Sequence, residues 1–404
     1  MARPLDGIRV IDWTLYQQGP VATMMLADLG ADVIKIEDRR GGDPGRGVMG
    51  LGGLLFGATG ARNFYFEANN RHKKSITLDL KKPQARDIVY GLVAKSDVFV
   101  QNFRKGVAAR LGLDYATLSR HNPKLIYASA SGYGPLGPDS GEPSFDYLGL
   151  ARSGIMMSAG EPDMPPLNIQ GGIADQMGAI LLAYGVLAAL VVRERQGVGQ
   201  EVDASHLGSM SFLQGLNLAC RAILGKAFKR MPRAAAKSAL WNHYCCADGK
   251  WIALAMAQQD RYWTDFCRVL GISEVTSDPR FATIADRAEN ARELVAILDG
   301  VFASRPRDEW LKTFRAGGDF IYAPVNGVAD LPNDPQMTAN DYLVDYDHPR
   351  WGKVQIVGVP VRLGETPGNA KGAAPELGEH TEAILAEVGY DAQAIAALRD
   401  KGVI

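Results

Sequence analysis

Asp175 stands in NIQGGIADQMGAILL (168–182): two glycines, two apolar residues, one carboxylate and then an apolar helical run. A carboxylate there has two uses. As an N-cap it accepts a hydrogen bond from a backbone N–H of the first turn, the ordinary employment of Asp, Asn, Ser and Thr at that position. As a nucleophile it draws on the same positive helix end to stay ionised, while free N–H groups hold the oxyanion formed when it attacks an acyl carbon. Gly171 and Gly172 leave room for a substrate to lie against backbone. A covalent acyl intermediate would divide one hard transfer into easier steps. Spacing alone leaves both uses open.

The elements that must position this residue begin near the N-terminus. The loop TLYQQGPVAT (14–23) lies between an apolar run, IRVIDW (8–13), and a helical run, VATMMLADLG (21–30), with ADVIKIE (31–37) behind it. Strand, loop, helix and strand in this order make the frame of a nucleotide-binding fold, and Glu37 and Asp38 end the second strand where that fold places a ribose-binding acid. Its G-x-G-x-x-G fingerprint is missing, since only Gly19 is present, and no second such loop supports a nicotinamide dehydrogenase. The alternation continues through KSITLDL (74–80), a helix over 83–95, DVFVQNF (97–103), a helix over 106–119 and KLIYASAS (124–131). Short apolar strands separated by helices imply a parallel sheet covered on both faces. Ligands of such sheets gather beyond the carboxyl ends of the strands, so the loops at 14–20, 38–46, 102–106 and 131–137 are expected to converge on one crevice.

Residues 38–62 are dense in glycine and read either as a long mobile loop over that crevice or as an ordinary surface loop. A helix is expected from 176 to about 195, ending at QGVGQ (196–200). Its uncharged run 176–192 is short for a bilayer span and reads as a buried core helix. A basic linker, GKAFKRMPRAAAKS (225–238), leads to a hairpin, HYCCADGKWIALAM (243–256), turning at Asp248-Gly249, then to helices near 258–270, 288–303 and 307–316. The tail from VQIVGVPVRL to a last helix near 378–399 reads as a return to the first domain. The expected fold is therefore α/β: a Rossmann-like parallel-sheet large domain (1–224), a smaller α+β domain (225–330), and a linker with a C-terminal segment (331–404) going back to the large domain.

The chain's 404 residues exceed the size at which one core usually stops growing. Forty-four Lys and Arg against 45 acids, a net charge of −1, give no electrostatic footprint for a nucleic acid or an anionic membrane. Cys220, Cys245, Cys246 and Cys267 lack paired C-x-x-C spacing, so no metal site is expected and the thiols read as cytosolic. MARPLDGIRV has no secretory signal pattern, and a cytoplasmic location is expected.

A resemblance narrows the chemistry. PLDGIRVID, Gln17-x-Gly19-Pro20, LADLGADVIKIE, GGDPGR (41–46), NRHKKSITLDL, VQNF, LGLDY, NPKLIYASASGYGPLGP, FDYLGLARSG, GGIADQMGA, RQGVGQEVD and APELGEHTEAILAEVGYD occur in order. Together they are similar to the family III coenzyme A transferases, the CaiB/BaiF family that includes formyl-CoA transferases, over nearly the whole chain but weakly over 225–330. The resemblance implies transfer of coenzyme A between an acyl-CoA donor and a small organic acid. In that chemistry Asp175 is the catalytic aspartate, carrying first an acyl group as a mixed anhydride and then coenzyme A as a thioester. It places Gln17 beside the reacting carbonyl, Asn102, Phe103 and Arg110 along the coenzyme, and Tyr133 near the thioester. Arg39, Arg46, Lys73 and Lys74 are candidates for the coenzyme's phosphates, or are plain surface charges. Coenzyme A enters as substrate, no tightly bound cofactor is implied, and the family's form is an interlocked homodimer.

Two departures and two rivals complete the reading. Asp38 follows the strand-two glutamate where formyl transferases carry a basic residue, and no counterpart of their glycine-run loop appears in the small domain, which disfavours formyl or oxalyl transfer. The family's alpha-methylacyl racemases have a histidine at the place of Phe145 in Ser144-Phe145-Asp146-Tyr147, and phenylalanine accepts no proton. A racemase here needs another base, His206 or His243, each otherwise a packed or surface imidazole. A non-catalytic coenzyme A binder is the third class. For the acid, Tyr16, Tyr133, Phe145 and the 47–60 loop suit an apolar or aromatic group, whereas Gln17, Asn168 and Gln170 suit a second carboxylate. Succinyl-CoA as donor is an analogy.

Overall fold

Six short strands of the computed structural model, which describes residues 2–48, 50–51, 54–55 and 63–404, form one parallel sheet. They are β1 (Arg9–Trp13), β2 (Asp32–Glu37), β5 (Lys74–Thr77), β6 (Val98–Gln101), β7 (Ile126–Ser131) and β8 (Gln200–Ser205); β3 (Gly50–Leu51) and β4 (Leu54–Leu55) pair only with each other. The order is β5-β2-β1-β6-β7-β8, and every pairing in it is parallel. Direction reverses between β1 and β6, which is where such sheets open a crevice.

Successive side chains of a strand point to opposite faces, and both faces here are covered. Val10, Val33, Val98 and Ile126 share one core with Val21 and Leu26 of α1 (Gln18–Asp28) and with Ala179, Leu182 and Val186 farther along. The next residue of each strand, Ile11, Ile34, Phe99 and Tyr127, turns to the other core. That core holds Ile88 and Leu92, together with Ile384, Leu385, Ile395 and Leu398 from the C-terminal helices Thr381–Glu387 and Ala392–Asp400. Along the chain from β2 to residue 224 the helices are α2 (Phe64–Asn70), α3 (Pro83–Val93), α4 (Val107–Arg110), α5 (Tyr115–His121), α6 (Asp146–Ser153), α7 (Ile173–Gln196), α8 (His206–Leu213) and α9 (Gly215–Leu224).

Helix α7 is long and apolar enough to cross a membrane, yet Ala179, Leu182, Ala183 and Val186 are buried in the core it shares with α1. The close approach is a matter of one missing methyl: a Cβ on Gly178 would lie 2.4 Å from the side-chain nitrogen of Gln18. Helix α7 starts three residues earlier than its sequence pattern suggests, and the consequence for Asp175 appears below.

The chain separates into two compact units, residues 1–156, 168–227 and 336–404 forming the first and residues 157–167 and 228–335 the second. In the second, a three-stranded antiparallel sheet (β9 Trp241–Cys245, β10 Trp251–Ala255, β11 Tyr322–Val325) packs Tyr244 and Ile252 against helices Gln259–Leu270, Ala291–Phe302 and Arg307–Gly317. The β9–β10 turn uses Gly249 at φ +72°, the left-handed conformation expected of Asp-Gly. Strands β12 (Leu343–His348) and β13 (Gly352–Val357) form a hairpin in the first unit. Of the glycine-rich stretch 38–62, Pro44–Gly47 makes a 3-10 turn capped by Asp43, while residues 49, 52–53 and 56–62 lie outside the described residues.

Candidate active site

Beyond the carboxyl ends of the strands lies a cavity of about 770 Å³, lined by Tyr16 and Gln17 after β1, Asn102 to Lys105 after β6, Ser131 and Gly132 at the end of β7, and His206 after β8. Phe145, Asp146, Asn168, Gln170 and Asp175 complete the wall. Asn102 ties two of these loops across the switch point, its Oδ1 accepting from the Leu15 N–H at 2.8 Å and its Nδ2 donating to the Leu15 carbonyl at 2.7 Å. Phe103 stacks on the buried Trp13 ring, centroids 4.0 Å apart. Asn102 and Phe103 are thus anchored to the end of β1.

Asp175 is not an N-cap. Gly172, at φ +70°, takes that position and Asp175 is the third helical residue, its side chain 17% exposed at the cavity. A Cβ at Gly172 would strike the Gln17 amide at 2.5 Å, so glycine is what lets Gln17 reach the helix start. The capping acceptor is Asp146: its Oδ1 accepts from the Ala174 N–H at 2.6 Å and from the Asp175 N–H at 3.2 Å. Those two amides are therefore occupied by Asp146 rather than free for an oxyanion. Burial, and then the charge of Asp175 beside it, raise the Asp146 pKa against the pull of these hydrogen bonds. Burial and the Asp175 charge also push the Tyr65 hydroxyl upward.

His206, the first residue of α8, is the partner that sequence reading left as a packed or surface imidazole. Its Nε2 lies 2.9 Å from Asp175 Oδ1, its Nδ1 lies 3.2 Å from Ser144 Oγ, and the ring is buried. Gly149 makes the space, since a Cβ there would come within 2.8 Å of the His206 Cβ. The available signal was QEVDAS: read as a sixth parallel strand, it ends at the same sheet edge as the other loops and delivers the next residue, His206, to the crevice. His243 sits on β9 in the second unit, its pKa lowered by burial and by Arg233.

The basic candidates fare differently. Lys73 is fully buried, its Nζ bound to Asp12 Oδ2, the Pro20 carbonyl and Asn70 Oδ1, each at 2.8 Å, and is withdrawn as a phosphate contact. Burial drives its pKa down to about 8 despite Asp12. Lys74 opens β5 at the opposite, amino edge of the sheet and pairs with Asp32 at 2.8 Å, so it too is withdrawn. Arg46 is committed bidentately to the buried Glu37, at 2.7 and 2.8 Å. Arg39 donates to the Ile404 carbonyl at 3.3 Å. Arg39, Arg46 and Arg110 do not line the cavity, nor does Tyr133, which packs under the Arg152 guanidinium. Among the described residues, the Lys and Arg side chains that do line it are Arg104 and Lys105, overlooked within the NFRKG stretch although the loop itself was expected there.

The chain matches the family model described as CoA-transferase family III over residues 5–381. The chain belongs to CoA-transferase family III. It is 36% identical to the acetyl-CoA:oxalate CoA-transferase of Acetobacter aceti over 95% of each chain. It is 34% identical to the succinyl-CoA:glutarate CoA-transferase of Mus musculus over all of this chain and 90% of that one. A crystal structure of a CaiB/BaiF family protein from Brucella suis superposes with a TM-score of 0.85 at 33% identity, covering 96% of this chain and 100% of that one. The family III member described here is accordingly a CoA transferase built on a mixed α/β fold with a six-stranded parallel sheet.

Proposed function

We propose that this transferase moves coenzyme A from an acyl-CoA to a small carboxylic acid through covalent intermediates on Asp175. The observation that carries the reading is an ionisable carboxylate at the cavity, in the first turn of α7, with one oxygen held by a buried imidazole and the other left to attack. Oδ2 of Asp175 adds to the thioester carbonyl and the thiolate departs, leaving a mixed anhydride bridged through Oδ2. The thiolate then attacks the aspartyl Cγ and expels the donor acid with that oxygen, giving an aspartyl-CoA thioester. The acceptor carboxylate reverses both steps: it displaces the thiolate at Cγ, and the thiolate attacks the acceptor acyl carbon to release a new acyl-CoA and the free carboxylate. Gln17 lies against Gly172 at the start of α7, and Arg104 and Lys105 are exposed cations offered to the coenzyme's phosphates.

Relatives named for oxalate and glutarate support a small organic acid as acceptor. A two-base racemase is disfavoured, because His206 is hydrogen-bonded to Asp175 rather than standing across a substrate carbon from it. We further infer a homodimer, of the interlocked kind, in which exposed Phe212, Leu216, Ile223 and Leu224 of α8 and α9 find cover.

The test is a panel of acetyl-CoA and succinyl-CoA against oxalate, glutarate and aromatic acids, followed by trapping with hydroxylamine. Turnover with one hydroxamate at Asp175 is expected, and Asp175→Asn should abolish turnover while still binding coenzyme A. A modified peptide elsewhere, or an active Asn variant, would refute the covalent reading.

A further inference from the structure

The His206–Asp175 contact has a use that changes as the carboxylate becomes covalently loaded. In the free enzyme the imidazole Nε2–H donates to Oδ1 at 2.9 Å. A carboxylate can only accept, so Nε2 carries a proton toward Asp175, while Ser144 Oγ lies 3.2 Å from Nδ1 and donates to the Phe145 carbonyl at 3.4 Å. Oδ2 is the oxygen that bridges to the acyl group and leaves with the donor acid, whereas Oδ1 stays on Cγ and becomes its carbonyl oxygen. We infer that His206 is the oxyanion donor for every step in which Cγ is attacked, a role resting on the covalent reading proposed above.

Electron flow fits this assignment. When the coenzyme thiolate attacks Cγ of the anhydride, the C=O electron pair moves onto Oδ1, and the N–H already aimed at that atom stabilises the new charge. Collapse returns the pair to the C=O bond and expels the donor carboxylate. Attack of the acceptor carboxylate on the aspartyl thioester repeats the cycle with thiolate leaving. No proton is transferred in either step, which suits an imidazole with both nitrogens engaged and its ring buried. Two backbone amides of the helix start, those of Ala174 and Asp175, are already occupied by Asp146. A donor fixed before reaction needs no reorganisation at the moment charge develops.

The experiment compares wild type, His206→Gln and His206→Leu by rapid acid quench and intact mass. Succinyl-CoA is the donor, and the acceptor is the acid found active in the panel above. Glutamine keeps an Nε2–H donor and leucine removes it. For the leucine variant kcat should fall by about 10²–10³, the usual effect of losing one oxyanion donor. KM for succinyl-CoA should stay within about threefold, because the imidazole bonds the enzyme's own carboxylate rather than the substrate. Discharge of the aspartyl-CoA thioester by the acceptor should slow by the same factor as kcat, and glutamine should recover at least about tenfold over leucine. If the leucine variant fails to melt cooperatively, His206→Asn, which retracts the amide from Oδ1, takes its place. Normal discharge in the leucine variant, or glutamine no better than leucine, overturns the role of His206 and leaves Asp175 untouched. A wild type that transfers coenzyme A without any aspartyl-CoA mass overturns the covalent reading itself.

Discussion

At the scale of single residues, two carboxylates meet at the first turn of α7 in unequal environments. Asp175 faces the cavity with His206 on one oxygen, while Asp146 is turned to the helix amides and has its pKa raised by burial and by Asp175. A raised carboxylate pKa means that the native protein binds this proton more tightly than the unfolded chain does. The contribution of Asp146 to stability is then complete below the unfolded value, near 4, and is lost as pH rises through the higher folded value. Asp146→Asn removes that dependence. Melting temperatures taken across acidic and neutral pH should show wild type falling relative to the variant as pH rises, and a constant difference would contradict the assignment. Asp175 was legible from its glycines and the helix behind it. Asp146 and His206 were not, because each acts through a partner roughly 30 residues away, at |i−j| of 29 and 31.

At the scale of elements, the loop after β1 shows why a chain without a glycine cradle still builds a precise floor. Tyr16 sits at φ +64°, a conformation unfavourable for an aromatic residue. Asp43 holds it there: Oδ1 accepts from the Tyr16 N–H at 3.0 Å and the Gly45 N–H at 2.8 Å, while Oδ2 pairs with Lys35 at 2.9 Å. Lys35 in turn donates to the Thr14 carbonyl at 2.8 Å. Burial works to raise the Asp12 pKa, but Lys35 and Lys73 overturn it and bring it down to about 2. The basic residues of KIE and HKK are thus structural charges, spent under the loop or at the far sheet edge. Asp43→Asn leaves Lys35 short of an anion in the interior, and removing one partner of a buried pair typically destabilises by about 3–5 kcal/mol. Urea unfolding measures this directly, and a loss below about 1 kcal/mol would show the network to be dispensable.

For the whole molecule, the surface raises the question of association. Helix α9 has no buried residue although it carries an apolar face, with Leu216 77% and Ile223 79% exposed. Exposed apolar groups clustered on adjoining helices are a poor surface for an isolated chain. Interlocked chains part only by unfolding, so the comparison is made on protein refolded from denaturant: Leu216→Asp with Ile223→Asp should regain the wild-type circular dichroism and run as monomer where wild type refolds to dimer. A variant that refolds to dimer would place the interface elsewhere, and a wild-type monomer would remove the dimer altogether.

By itself, the sequence determined the alternation of strands and helices, the sheet edge where the cavity opens and the family. Those follow from local hydrophobic periodicity and from contiguous motifs, both of which survive without coordinates. Tertiary structure alone decided which carboxylate caps α7, that His206 holds Asp175, and that Lys73 and Lys74 are unavailable to a ligand. Charge identity is written in the chain, but what a charge is for depends on the dielectric and the counter-charge around it. Both are set only when distant segments pack together.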